Sequence, residues 1–344
     1  MSVTINDVAK HAGVSMKTVS RVINNESSVR QSTYDKVMAS VKALNYRPNN
    51  SARSLAGTRS YTIGFIYDNP NAYYVIDMQN GLLSQCRENN YELLIHPCNH
   101  QADDLEEELT HLINHSRVAG LVLTPPFSEM PKVSRMLEKM ALPYVRIISG
   151  LEKGKQAASC IFVNDHEAAY NITQHLIDLG HKQIGFLCGG EEHRSSSERL
   201  NGYLAALSDN HVKTSKQWVV EGEYSFDSGV KGAKKLLGRK KKPTAIFASN
   251  DEMAAGALFA ARLMGISIPD ELSIVGFEDS PFSRQTWPKL TTAHQPNQVI
   301  AQQAANLLIS KIQGQSCEQL EEGNMIRSFS PELVVRDSTG CAPK

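Results

Sequence analysis

At 344 residues the chain is long enough for two or three domains with sizeable cores, and its zero formal charge hides an uneven distribution. Residues 1–60 hold nine Lys and Arg against three Asp and Glu, a net +6, while the remainder holds twenty-seven against thirty-three, a net −6; a basic head on an acidic body suits contact with a polyanion at one end only. Six cysteines (Cys86, Cys98, Cys160, Cys188, Cys317 and Cys341) form no Cys-x-x-Cys or zinc-type spacing, and neither a charged leader before an apolar run nor a membrane-length apolar segment stands out, so reduced thiols in a cytoplasmic protein are expected.

In chain order, Thr4 stands three residues before Asp7, so its hydroxyl and the Asp7 carboxylate can satisfy free backbone donors at a helix start. That helix is predicted to run to about His11. Gly13 supplies the permissive backbone of a tight turn, and Ser15 can cap a second helix whose first turn is Met16-Lys17-Thr18. On it Val19, Val22 and Ile23 form an apolar stripe, leaving Met16, Lys17, Ser20 and Arg21 on the other side. Arg and Lys can bond guanine O6 and N7, Ser can donate or accept, and Met offers apolar contact, so this side suits base edges. A solvated helical hairpin would show the same two faces. Tyr34, Val37, Val41 and Leu44 then repeat at helical spacing and predict a third helix that closes a small core. Tyr46 to Gly57 is polar, with Leu55 its one large aliphatic residue.

From Tyr61 onward short β-rich runs alternate with helical stretches, the pattern of parallel sheets wound on both faces. Strands are predicted at 62–67, 91–96, 118–124 and 144–148, with helices near 75–90, 103–115 and 132–140. A second series places strands at 161–163, 183–188, 218–221, 245–249 and 273–277, with helices near 167–179, 198–209, 228–237 and 252–264. Two series of similar size imply two similar lobes, and ligands of such folds sit beyond the carboxyl ends of strands. The residues at those ends are Asp68, Tyr73, Tyr74, Phe127 (in Pro125-Pro-Phe127), Arg199, Tyr224, Asn250 and Glu278, with Trp287 a further candidate. Guanidinium, amide and carboxylate groups suit vicinal hydroxyls, and aromatic faces suit the apolar side of a sugar ring. Each also has a plainer reading: Arg199 as a surface ion-pair residue, Asn250 and Asp251 as a helix cap, Tyr73 and Tyr74 as packing at a helix entry, Asp68 as a cap and Trp287 as packing before Pro288.

Catalytic readings are weaker. His193 with Ser195, Ser196, Ser197 and Glu198 offers a nucleophile and a base, but neighbours in sequence do not make a triad. Gly189-Gly190 lacks the rest of a phosphate-loop or dinucleotide pattern. His96, His100, His111 and His115 are dispersed, and the i, i+4 pair His111/His115 has no accompanying Glu of the zinc-hydrolase kind. The run Arg239 to Lys242 follows a helix end, where cations favour the dipole. No catalytic residue, cofactor or metal ligand is expected.

The segments Ile5-Asn-Asp-Val-Ala-Lys-His-Ala-Gly-Val-Ser15, Thr18-Val-Ser-Arg-Val-Ile-Asn24, Tyr46-Arg-Pro-Asn49 and Ser54-Leu-Ala-Gly57 together resemble the lac-repressor type of bacterial transcription regulators, the LacI/GalR family. Ser249-Asn-Asp251, Val275-Gly-Phe277, Leu290-Thr-Thr292 and Gln295-Pro296 extend the resemblance over essentially the whole chain. It implies an α-helical helix-turn-helix DNA-binding head at 1–45, a hinge at 46–59 and an α/β two-lobed, periplasmic-binding-protein-like core of doubly wound parallel sheets at 60–340. The lobes would comprise about 60–163 with 294–326 and about 164–293 with 327–340, with crossings near Val163, His294 and Arg327. DNA-facing residues would be Thr4, Ser15, Met16, Lys17, Thr18, Ser20, Arg21, Asn24, Arg30, Tyr46, Asn49, Ala52 and Leu55, the hinge becoming helical on a pseudo-palindromic operator with Leu55 as a minor-groove wedge. Arg199, Tyr224, Asn250 and Glu278 match family ligand positions, although Glu278 stands where aspartate is more usual. The resemblance implies a homodimeric repressor with a small-molecule effector, a sugar or glycoside inducer in the first instance. Corepressor action and, at a greater distance, a solute-binding protein without DNA are the competing readings.

Overall fold

The computed structural model describes residues 3–23, 29–46, 60–69, 71–150, 159–314 and 327–343. The chain divides into two compact units, one comprising the residues through Tyr61 with Asn90–Glu92, the other the rest.

In the head, α1 (Ile5–Ala12) opens on a capping box: the Thr4 hydroxyl accepts from Asp7 N, and the Asp7 carboxylate accepts from Thr4 N at 2.9 Å. Gly13 ends it at φ +60°, a left-handed conformation that glycine adopts without steric cost. Ser15 then takes Thr18 N on its hydroxyl at 3.1 Å and starts α2 (Met16–Ile23). The third helix, α3 (Gln31–Ala43), closes the core. Val8, Ala9, Ala12, Val19, Val22 and Val37 are at most 4% exposed, rimmed by Tyr34, Val41 and Leu44. At about 1.5–3 kcal/mol for a fully buried valine, this small cluster supplies most of the head's cohesion.

The body begins with β1 (Thr62–Tyr67), α4 (Ala72–Glu88), β2 (Glu92–Pro97), α5 (Leu105–Ser116), β3 (Gly120–Leu123), α6 (Pro131–Lys139), β4 (Tyr144–Ser149) and β5 (Cys160–Val163). Crossing to the second lobe, it continues through α7 (Asp165–Asp178), β6 (Ile184–Leu187), α8 (Arg194–Asp209), β7 (Val219–Val220), α9 (Phe226–Leu237), β8 (Ala245–Ala248), α10 (Asp251–Leu263), β9 (Ser273–Val275) and α11 (Pro281–Gln285). After β10 (Thr292–His294) it returns to the first lobe as α12 (Asn297–Ile312), and β11 (Ser328–Phe329) and β12 (Glu332–Val334) complete it.

The first sheet has the order β11-β5-β4-β3-β1-β2 and the second β7-β6-β8-β9. The pairings β1 with β3, β3 with β4, β4 with β5, and β6 with β7 and β8 are parallel, with Phe65 opposite Val122 and Phe186 opposite Phe247. Strands such as β3, β5, β6 and β8 are buried along their whole length, as expected where helices cover both faces. A separate antiparallel pair, β10 with β12, sets Ala293 opposite Leu333.

Three features depart from the sequence-based expectation. Ser328 and Phe329, assigned to the second lobe by a boundary near Arg327, pair in parallel with Phe162 and Val163 of the first sheet, so the chain crosses only after them. Helix α8 starts a turn before Glu198, which brings residues 193–196 to its amino-terminal end. The third is α12, which the sequence reading passed over. It packs against α4 on one side and against β3 and β4 on the other, burying Ile300, Ala301, Ala304, Ala305, Leu307 and Leu308, while Gln298, Gln302, Asn306 and Ser310 recur every four residues on its more exposed side.

Candidate effector cleft and DNA-reading face

The cleft between the two lobes is lined from the first by Asn69, Asn71, Tyr74, Pro125, Ile147, Ile148, Ser149 and Val163, and from the second by Asp165, His193, Ser195, Arg199, Tyr224 and Glu278, with Gln295 at a crossing. With the lobes as they stand, the room inside is about 50 Å³. Each lining group is carried by a strand end or the helix that follows. Asn71 caps α4, its Oδ1 accepting from Tyr73 N and Tyr74 N, and its Nδ2 donates across the cleft to Glu278 Oε2. Ser149, the last residue of β4, donates from Oγ to Asp165 Oδ2 at 2.6 Å. Glu129, on the short 3-10 turn Phe127–Glu129, accepts from Ser149 N at 3.3 Å and from Arg194 N at 3.0 Å. Three hydrogen bonds thus tie one lobe to the other around the cleft.

Arg199 is the anchor. It is 4% exposed, donates from Nε to Asp165 Oδ1 at 2.7 Å and from Nη1 to the Ser249 carbonyl at 2.5 Å, and stacks its guanidinium 3.7 Å from the centre of the Phe277 ring. Glu278 Oε1 lies 4.0 Å from Nη1. Tyr224, at φ +58°, shares its hydroxyl with Ser196 at 2.7 Å and Ser195 at 3.3 Å, and the His193 ring stands edge-on to it, centroids 5.5 Å apart. Among the described residues, buried Gln295 Oε1 has no hydrogen-bond partner.

Burial drives the electrostatics. It pushes the Glu278 carboxyl up to about 8 against the pull of Arg199, with Asp251 and Asp165 adding to the rise. Glu129 is pushed up to about 7, again by burial, which its two backbone hydrogen bonds only partly offset. Burial also lowers His193 and raises the Tyr74 phenol. Arg199 and Asp165 compensate each other, so near neutral pH the cleft is dense in donors and acceptors but carries little net charge.

Of the nine residues expected to meet a ligand, Tyr74, Arg199, Tyr224 and Glu278 converge here. The other five do not line the cleft, and each has a physical reason. Asn250 is wholly buried as the cap of α10: its Oδ1 accepts from Met253 N at 2.9 Å and its Nδ2 donates to the Tyr224 carbonyl, so it holds Tyr224 from behind. Phe127 is wholly buried among Leu109, Leu123, Val133 and Leu137. Trp287 is 72% exposed. Asp68 accepts from the His100 backbone and ring, and Tyr73 stands edge-on to Phe282 at 5.7 Å. Sequence reasoning missed Asn71, Ser149, Asp165 and Gln295 as cleft residues. Asp165 is the first residue of α7, separated from the end of β5 only by the helix cap Asn164, so the strand-end rule applied to β5 would have found it.

In the head, Met16 is 52% exposed, Lys17, Arg21 and Arg30 are exposed, and Thr18 and Ser20 are half-buried. The Thr4 and Ser15 hydroxyls are engaged in helix caps, and the Tyr46 ring packs on the head core, so their side chains carry structural duties besides any contact with DNA. Asn24, Asn49, Ala52, Leu55 and the hinge lie outside the described residues.

A helix-turn-helix head joined in one chain to a two-lobed body with a polar cleft is the build of a DNA-binding regulator controlled by a small molecule. Residues 4–49 match the bacterial regulatory proteins of the lacI family, and residues 173–339 match the periplasmic binding protein-like domain. Catabolite control protein A of Priestia megaterium is 34% identical over 312 residues, 90% of this chain and 92% of that protein. The transcriptional repressor PurR of Proteus mirabilis is 33% identical over 343 residues, 99% of this chain and 98% of that one. Among solved structures, the lac repressor dimer bound to operator and the anti-inducer ONPF superposes with a TM-score of 0.73 at 27% identity, covering 99% of this chain and all of that one. The regulator CelR in complex with cellobiose gives 0.71 at 27% identity, covering 98% and 99%. The chain belongs to the LacI family: it is a transcriptional repressor with an effector-binding body, and its relatives are DNA-binding regulators rather than enzymes. Among the described residues no helix is long and apolar enough to cross a membrane.

Proposed function

We propose that this repressor acts as a homodimer on a pseudo-palindromic operator and releases it when a neutral sugar or glycoside closes the cleft. The observation that carries the ligand class is the cleft's low net charge combined with its density of hydrogen-bonding groups. Arg199 and Asp165 are mutually paired, Glu278 and Glu129 are biased toward their protonated forms, and Gln295 Oε1 awaits a donor. An anionic ligand would face these acids with the only guanidinium among the lining residues already committed. A polyol can donate to Glu278, Asp165 and Gln295 and accept from Asn71 and Arg199. The cellobiose complex of CelR supports the same class by likeness.

On the DNA side, Met16, Lys17, Ser20 and Arg21 of each head meet base edges or flanking phosphates in a major groove. Thr4, Ser15, Thr18, Asn24, Arg30, Tyr46 and Asn49 position the head. From the family resemblance we carry over the expectation that residues 50–56, outside the described residues, meet the minor groove through Ala52 and Leu55. Seven residues are too few to hold a helix alone in water, so the hinge depends on DNA and on its partner. Exposed Phe259, Leu263 and Trp287 on the second lobe favour a self-association surface there.

A thermal-shift screen of monosaccharides, disaccharides, glycosides, sugar phosphates and nucleobases, followed by operator-release assays of the hits, tests this reading. Stabilisation by an uncharged sugar that also releases operator is the expected result. Stabilisation confined to phosphates or nucleobases overturns the ligand class, and a hit that tightens operator binding makes the effector a corepressor.

A further inference from the structure

Away from the cleft, three donor groups of different chemistry converge where the edge strand β2 ends. His96 and Cys98 stand two residues apart at that end, and Glu108 reaches them from the first turns of α5. His96 Nε2 lies 2.8 Å from Glu108 Oε1, Cys98 Sγ donates to the same oxygen at 3.6 Å, and all three ligand atoms lie within 4.8 Å of one another. We propose that His96, Cys98 and Glu108 form a binding site for a divalent transition-metal ion of borderline softness, of which zinc is the type.

Two of the three ligand separations can be compared with what such an ion requires. Tetrahedral coordination with bonds of about 2.0–2.3 Å separates an oxygen from a sulfur ligand by roughly 3.5 Å and an oxygen from a nitrogen ligand by roughly 3.3 Å. The Cys98–Glu108 separation already matches, and the His96–Glu108 pair opens by about half an ångström to admit the cation. A mixed imidazole, thiolate and carboxylate set suits zinc or cobalt and disfavours magnesium or calcium, which take oxygen ligands alone. Cys98 is buried, while the side chains of His96 and Glu108 retain 27% and 35% of their exposure, so the site has a buried sulfur and an open mouth. Binding replaces two hydrogen bonds by three metal bonds. The thiol proton leaves to solvent, the proton that Nε2 donates to Glu108 is exchanged through solvent for one on Nδ1 so that the Nε2 lone pair binds the ion, and a water completes the fourth position.

The sequence pattern gave no hint of this because the third ligand arrives ten residues after Cys98, from a helix rather than a second Cys or His pair. The site also ties into the fold: Cys98 N donates to the Tyr67 carbonyl at 3.0 Å, linking it to the end of β1.

Titration of the full-length, metal-free protein with cobalt(II), read by absorption, tests the assignment directly. One equivalent is expected to produce a thiolate-to-cobalt charge-transfer band. That band should be absent in Cys98→Ser, should need at least about tenfold more cobalt in His96→Gln, and should be unchanged in the His111→Ala/His115→Ala double variant. Zinc should bleach it and raise the melting temperature of the wild-type protein but not of Cys98→Ser. A wild-type protein without the band, or a band that survives Cys98→Ser because another cysteine supplies it, overturns the proposal.

Discussion

Arg21 and Glu278 show how differently two charged residues are used at the ends of one chain. Arg21 sits on the exposed side of α2, opposite the buried Val19 and Val22. Its value there is directional, since a guanidinium can bond O6 and N7 of a single guanine together. Replacing it with Ala is predicted to cost about 1–3 kcal/mol of operator affinity and to relax the base preference at one position of each half-site. Binding measured on an operator and its single-base variants checks this, and an unchanged preference removes Arg21 from the reading face. Glu278 is used for its burial. Between its ordinary 4.5 and the raised value of about 8, the folded chain holds a proton that the unfolded chain has lost. Its contribution to stability is therefore complete below about pH 4.5 and is lost as the pH climbs through about 8. Glu278→Gln removes that loss, so its melting temperature should gain on the wild type's as the pH is raised from 5 to 9. Parallel melting curves across that range would show that the carboxyl is not held protonated by the fold.

Elements were legible in the sequence to the extent that each had two distinguishable faces. The head helices, with their capping box, Gly13 turn and alternation of valine with polar residues, were readable nearly residue by residue. So were the strands that begin each βα unit. Helix α12 is the exception: Gln298, Gln302, Asn306 and Ser310 recur at helical spacing opposite its buried aliphatic residues, and it was still passed over. What holds it is close approach: Gly81 of α4 lies against the Gln298 carbonyl, where any Cβ would overlap that oxygen. Gly81→Ala is accordingly predicted to destabilise the body by about 1–3 kcal/mol through overpacking, measured by urea unfolding; a neutral result would mean the two helices separate freely. The strand-end rule located the cleft, but it does not say which way a side chain faces. It therefore gathered Phe127 and Asn250, which turn inward to pack and to cap, and passed over Asn71, whose cap leaves its amide free to reach across to Glu278. The hinge makes its own prediction. Leu55→Ala should lower affinity for operator while leaving weak binding to unrelated DNA nearly intact, because a wedge acts only where the duplex is bent. Equal loss on both DNAs in an anisotropy titration would reject the wedge.

At the scale of the whole molecule, the proposed function requires contacts in the cleft to be coupled to DNA binding. The lobes are bridged by Asn71 to Glu278, Ser149 to Asp165 and Glu129 to the Arg194 backbone. A ligand that takes over these partners changes how the lobes meet, and on the proposed function that change is what alters operator binding. The two binding events then share one conformational equilibrium, so each must alter the other by the same factor. Calorimetric titration of the effector found by screening, with and without saturating operator, measures that factor directly. The account predicts a ligand affinity at least about fivefold weaker on operator, matched by an equal weakening of operator binding when ligand is saturating. Identical ligand affinities in the two titrations would contradict it.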